Sequence, residues 1–366
     1  MSYITLGRVY FTMSKRIDSL QSLRALAFIE IFLGHCGISP FMGALGVSIF
    51  IILSGFCMAI NYIPKLETLP SDVIGCVKFA VSKVKKLYLL HIITAFFAVL
   101  LRGAPESITG FIKLAINILL LQSLYPSSGV YFSYNGIAWY LSTYMFICMF
   151  APVILRFIAA RNEKKQLIIH TLLIIILMLV CGIATSVIHV PLGDDFAKWF
   201  TYICPAYRLL DFALGVILGQ AYLMRKSLPE LSTSKSVTML LIAGVLLCLY
   251  TAFLRLGLGG IQYNLYFAPA SLLLISIFAR SGGALMKFFK APMLIKLGNL
   301  SSTAFLIHQL TIQGLRQLMI KIGLQSGRLS LALLALVSFA ATLALVKLYN
   351  VIRSATQKVC LNENRI

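Results

Sequence analysis

Apolar residues come in blocks about as long as a bilayer is thick, separated by short polar stretches. At roughly 20 residues per helical span, the blocks fall near 19–40, 43–62, 84–101, 137–159, 166–189, 205–224, 236–255, 263–280, 298–319 and 328–350. The pattern predicts an all-α fold, a polytopic integral membrane bundle of about ten transmembrane helices. An eleventh block, from Phe111 to Leu124, has only about 14 residues. That is the length of an interfacial, re-entrant or core segment rather than a full span.

Composition agrees with the blocks. The 366 residues are 60% hydrophobic and 12% charged, with a mean hydropathy of +0.92, whereas soluble chains are normally about a quarter charged. The net charge of +21 raises the question of nucleic acid. The basic residues sit between apolar blocks, however, which is the signature of positive-inside orientation, and no nucleic-acid partner is expected. Basic residues cluster at Lys78–Lys86, Arg161–Lys165, Arg225–Lys226, Arg280–Lys296 and Arg353–Lys358, and the basic N-terminus holds Arg8, Lys15 and Arg16. All fall on one side if ten helices cross and 111–124 does not. The expected layout is a basic cytoplasmic N-terminus (1–18), a membrane domain (19–352) and a cytoplasmic tail (353–366) in the plasma membrane, both termini inside. The segment before Asp18 is polar and basic, so no cleavable signal peptide is expected. The eight cysteines are scattered without CxxC spacing and read as buried apolar side chains; no metal is expected.

The chemistry-bearing residues lie inside the blocks. Arg24 and His35 are eleven residues apart in the first one. Eleven residues make close to three helical turns, so both side chains leave one helix face, with Phe28 and Ile31 between them. Ionisable groups within a membrane are costly and usually functional. His35 suits a general base or a transient acyl carrier; the bland alternative is a helix-packing histidine. Arg24 suits an anion or an oxyanion; the alternative is an arginine snorkelling to the inner surface. Glu30 points well away from both and is expected to pair with a cation on another helix. Lys83 and Lys86 share a face at the start of the third block. They suit the phosphates of a cytoplasmic donor such as a coenzyme A thioester, or serve only as topology signals. Trp139 fits an interfacial belt, Arg208 and Asp211 fit a pair on one helix, and His308 is a weaker candidate. His91, His170 and His189 carry no spacing signal.

Together these motifs resemble the membrane-bound acyltransferase 3 family. The likeness is most specific at the opening, Arg16-Ile17-Asp18-Ser19-Leu20-Gln21-Ser22-Leu23-Arg24-Ala25-Leu26-Ala27, then His35, then Leu45-Gly46-Val47-Ser48-Ile49-Phe50-Ile51-Ile52-Leu53-Ser54-Gly55-Phe56. It continues through Ala138-Trp139-Tyr140-Leu141-Ser142, Tyr207-Arg208-Leu209-Leu210-Asp211, and Leu297 to His308. The resemblance implies that Arg24 and His35 match the family's paired arginine and essential histidine. It also implies that Lys83 and Lys86 stand at its paired basic positions. There the family usually has arginines; lysine lacks the guanidinium fork but still attracts phosphate. Many members carry a glutamate just after the Trp motif, where this chain has Thr143-Tyr144. The appended hydrolase-like domain of some members has no counterpart in these residues, so transfer is expected to be completed by the membrane domain or a separate partner.

The resemblance implies an O-acyltransferase that moves an acyl group, commonly acetyl from acetyl-CoA, to a hydroxyl of a surface glycan or a lipid-linked carbohydrate at a bacterial inner membrane. The residues alone also allow a transporter or flippase for a glycan or lipid-linked saccharide, or a regulatory membrane protein. No matched pair of broken helices favours transport.

Overall fold

The computed structural model describes residues 17–192, 194–225, 230–254, 261, 264–324 and 327–363. The basic N-terminal residues Arg8, Lys15 and Arg16, and Lys226 of an expected inner loop, lie outside them, as do the side chains of His189 and Lys358.

The main helices are α1 (Asp18–Cys36), α2 (Ala44–Tyr62), α3 (Val73–Arg102), α4 (Ile108–Ile118), α5 (Trp139–Ala159), α6 (Lys164–Leu192), α7 (Pro205–Met224), α8 (Thr233–Cys248), α9 (Ala268–Arg280), α10 (Pro292–Lys321) and α11 (Arg328–Glu363). Among the described residues there is no strand, only one isolated bridge between Leu231 and Ser281. Local chemistry sets the helix starts. Asp72, Ser107 and Ser232 accept backbone N–H bonds at the heads of α3, α4 and α8, and proline occupies the first turn of α7, α9 and α10.

Seven helices among the described residues are long and apolar enough to cross a membrane: α2, α3, α5, α6, α7, α8 and α11. Ten were expected. The three that fall short do so for identifiable reasons. The stretch ending in α9, Leu265–Arg280, is short. α1 carries Arg24, Glu30 and His35, and α10 carries Lys296, His308, Gln309 and Arg316. The helices that hold the candidate chemistry are therefore too polar to register as apolar spans. The block at 111–124 becomes the 11-residue α4 followed by tight turns.

Burial sorts the helices into an inner and an outer layer. The apolar stretch of α2 is 83% buried, whereas those of α6 and α8 are 17% and 12% buried. Exposed Leu, Ile and Val on α3, α6, α8 and α11 make the outer surface apolar, as a lipid-facing layer requires. Inside, helices approach through glycines, the packing mode favoured where no water drives association. A methyl group on Gly215 would lie 1.9 Å from the Ile52 carbonyl oxygen, and one on Gly55 would lie 2.1 Å from that of Phe212. Gly298 does the same for α10 against α1, at 1.8 Å from the Gln21 carbonyl oxygen.

These contacts also give direction. Gly298 lies beside Gln21, and His308 lies beside His35, so α1 and α10 run parallel. Arg156, near the end of α5, donates to the carbonyls of Leu69 and Pro70, each at 2.6 Å, just before α3 begins. The chain from 103 to 138 therefore leaves and returns at one end of the bundle. It is stitched there by the Ser142 hydroxyl on the Leu120 carbonyl (2.6 Å), Trp199 on that of Ser123 (2.8 Å) and Asn135 on that of Leu306 (2.9 Å). At the opposite end Ser19 donates to the Phe278 carbonyl (2.5 Å), Gln220 to that of Arg161 (3.3 Å) and Arg353 to that of Lys86 (3.4 Å).

Gly215→Ala should destabilise the protein by about 1–3 kcal/mol, because the new methyl meets backbone that cannot yield. Gly244→Ala, where a Cβ meets nothing within 4 Å, should be neutral or gain up to about 1 kcal/mol from helix propensity. Thermal unfolding of both variants in one lipid preparation tests this; equal melting temperatures would mean that the α2–α7 contact is not tight.

Candidate active site

Arg24 and His35 do share a face of α1, and that face meets α10. The Arg24 Nη2 donates to the Ser302 hydroxyl at 2.6 Å. The guanidinium also sits 5.9 Å from the ring centre of Phe50 on α2. His35, in the last turn of α1, has its Nδ1 2.7 Å from the Nε2 of His308, with the rings stacked at 5.0 Å and 20° apart. At 1.5 Å of rise per residue, eleven residues separate the two positions by about 16 Å along the axis. The expected pair is thus one face with two stations rather than one cluster.

Arg24 belongs to a cavity of about 610 Å³. Lys65, Lys83, Lys86 and Arg353 line it with Arg24: five cations and no carboxylate. The Lys83 ammonium donates to the Tyr62 hydroxyl and lies over the rings of Tyr62 and Phe79, at 4.6 and 4.4 Å. Lys86 is exposed, and its carbonyl receives Arg353 of α11. The Lys83/Lys86 pair therefore shares a cavity wall with Arg24, as the charge spacing alone could not show. Lys65 was not singled out by sequence, and Arg353 counted there only as an inner-side charge. Further in, the wall is aromatic and hydroxylic, with Tyr140 and Tyr144 stacked at 6.3 Å, Ser54 and Ser302. Tyr144 faces the cavity, while the Thr143 hydroxyl is buried on the Ile203 carbonyl at 2.9 Å.

His35 and His308 are not among the cavity-lining residues; Phe305 and Leu306, just before His308, are. His308 is fully buried, whereas His35 is half-buried. Phe28, Phe32 and Phe305 surround the His308 ring at 5.7, 6.1 and 5.6 Å. Phe305 also packs on Tyr140 at 5.1 Å. An aromatic layer thus joins the cationic cavity to the histidine pair.

Other polar groups singled out by sequence have structural partners. Glu30, expected to face a cation, instead accepts from the Ser39 hydroxyl (3.1 Å), the Gly43 N–H (3.1 Å) and the Gly46 N–H (2.7 Å). Its carboxylate caps the N-terminus of α2, where orphan N–H groups and the helix dipole favour an anion, so no cation is needed. Arg208 and Asp211 pair at 2.8 Å, both fully buried, and Arg208 also donates from Nε to the Tyr202 carbonyl and from Nη1 to the Asn264 side-chain oxygen. His91 donates from Nε2 to the Asn117 carbonyl at 3.0 Å, pinning the end of α4, and His170 bonds its own helix.

A helical bundle with an apolar outer layer is the architecture of an integral membrane protein, and its inner cavity is cationic. An acyltransferase domain, the acyltransferase 3 type, matches residues 17–348, and the chain belongs to this family of membrane acyltransferases. It is also similar to acyltransferase MdmB of Streptomyces mycarofaciens, 24% identical over 372 residues that cover 90% of this chain and 89% of that one. No solved structure matches it.

Glu30→Ala should lower stability by about 1–3 kcal/mol, the cost of leaving buried N–H donors and a helix N-terminus without an acceptor. Thermal unfolding measures it. An unchanged melting temperature would mean that Glu30 does not hold the α1–α2 corner.

Proposed function

We propose that this protein is an O-acyltransferase that takes an acyl group, acetyl in the first instance, from cytoplasmic acyl-CoA to a hydroxyl of a carbohydrate acceptor. The carrying observation is the cavity with five cations and no carboxylate. Coenzyme A brings several phosphate charges, and lysine and arginine donors bind phosphate by charge-assisted bonds. In this reading Lys83, Lys86, Lys65 and Arg353 hold the nucleotide end. Arg24, at the deeper end, orients the donor below the aromatic layer. His35 takes the proton from the acceptor hydroxyl as its oxygen attacks the thioester carbonyl. The C–S bond then breaks, and the coenzyme A thiolate leaves with that proton. An acyl-histidine intermediate would use the same nitrogen.

The topology that goes with this reading has ten crossings and both termini in the cytoplasm. Two features support it. Segments that carry the basic clusters meet one another, as in Arg353 with Lys86 and Gln220 with Arg161. α1 and α10 also run parallel, as the first and ninth of ten spans must if 103–138 does not cross.

His35→Ala should reduce acyl transfer by roughly 10²–10⁴-fold with donor KM little changed, as expected for loss of a general base. Lys83→Ala with Lys86→Ala should do the reverse, raising the apparent KM for acyl-CoA about tenfold or more, while added salt weakens wild-type donor binding. Steady-state assays in lipid discs, with a panel of acyl-CoA donors and the host's glycans, separate the two effects. If no acyl-CoA is consumed with any acceptor, the acyltransferase assignment to this donor fails.

For topology, single cysteines at Asn162 and Gly282, in a background without the eight native cysteines, should resist an impermeant thiol reagent added outside intact cells. Cysteines at Glu106 and Leu324 should react. Labelling at Asn162 and Gly282 would mean that 103–138 crosses.

A further inference from the structure

The histidine pair carries information that neither ring carries alone. The Nδ1 of His308 lies 2.6 Å from the backbone carbonyl oxygen of Phe305. A carbonyl only accepts, so this nitrogen must bear the hydrogen. A neutral ring then has its lone pair on Nε2, and that atom lies 2.7 Å from the Nδ1 of His35. His35 must therefore donate from Nδ1, and its own lone pair is left on Nε2. With both rings neutral, the carbonyl at one end sets the tautomer at the other.

We infer that His308 is a positioning residue that fixes the tautomer and the aim of His35, presenting the His35 Nε2 lone pair for the reaction. This rests on the acyl-transfer reading above and deepens it. His308 has the means to hold such a position. It is fully buried, and its ring is walled by Phe28, Phe32 and Phe305. α10 is held against α1 at Gly298. When the His35 Nε2 takes the acceptor's proton, the Nδ1–H of His35 points at a lone pair, and the carbonyl dipole of Phe305 stands behind it. The new positive charge is thus spread along the chain of bonds before the proton passes to the leaving thiolate. A backbone carbonyl here does the orienting work that a carboxylate does in other base-assisted sites. It adds no further charge to an apolar surrounding.

Three variants of the full-length protein in lipid discs test this. His308→Leu removes the acceptor at similar bulk. His308→Gln puts an amide oxygen near the place of the ring Nε2. His308→Asn keeps a polar group but reaches only to the place of Nδ1. We expect kcat to fall roughly 10²-fold or more in the Leu and Asn variants, with donor KM within about twofold of wild type. We expect the Gln variant to recover to within about tenfold of wild type. The donor KM and the melting temperature report that the fold and the cavity survive. The inference is overturned if Leu or Asn keeps more than about a tenth of wild-type kcat. It is equally overturned if Gln is as damaging as both, or if all three raise donor KM in step with the loss of kcat. A wild-type protein that transfers from no acyl thioester would overturn the acyl-transfer reading itself, and a wild-type enzyme with an indifferent His308 only this one.

Discussion

Polar side chains in a hydrocarbon slab have to find partners within the protein, and the contact between α1 and α10 is where this chain meets that demand. Gly298 lets the two backbones come together at the Gln21 carbonyl. Along the seam, Arg24 finds Ser302 and His35 finds His308. Without the close approach, both rows of polar groups would face lipid or each other across a gap. Such bonded polar contacts are specific about geometry, since each buried group left unbonded costs about 1–3 kcal/mol. The same seam therefore fixes the helix pair and aims the chemistry.

The rest of the inner layer serves that seam. α2 is held against α1 by Glu30, whose carboxylate sits on the α2 N-terminus, and against α7 by glycines. α2 also supplies Phe50, Ser54 and Tyr62 to the cavity. α3 and α11 bring Lys83, Lys86 and Arg353 from outside the inner layer to its mouth. The cations of the cavity thus come from elements that are distant in sequence. The mouth forms only when the outer helices dock.

How much of this the sequence disclosed follows from the range of each signal. The shared face of Arg24 and His35 was legible because helical periodicity is local and needs only one element. Block length and loop charge likewise gave an all-helical fold and pointed to Phe111–Leu124 as too short. Partners on other helices were not legible. His308 looked like a lone imidazole because 273 residues separate it from His35. Arg353 read as a topology charge, since nothing local shows that the last helix returns to Lys86. Glu30 was expected to meet a cation because side-chain charge is visible in sequence, whereas the partial positive charge of a helix N-terminus is a property of the fold. The count of apolar spans fell short of ten for a related reason: hydropathy penalises the very residues that carry the candidate chemistry of α1 and α10.

The separation of Arg24 from His35 constrains the chemistry more than their shared face does. A single planar cluster could bind donor and acceptor together at one membrane surface. Two stations about three turns apart on one helix, with an aromatic layer between them, instead suit a donor that is long and thin. The charged end of such a donor stays among the five cations, while its reactive end extends past Tyr140 and Phe305 toward the histidines. In the proposed topology the nucleotide need never leave the cytoplasmic side. In the proposed reading only the thioester end of the donor has to pass the aromatic layer, which keeps water from a bond that water would otherwise hydrolyse. Placing the base beyond that layer lets an acceptor approach from the opposite face, beneath the folded 103–138 segment. In the proposed reading the bilayer crossing and the group transfer are one event.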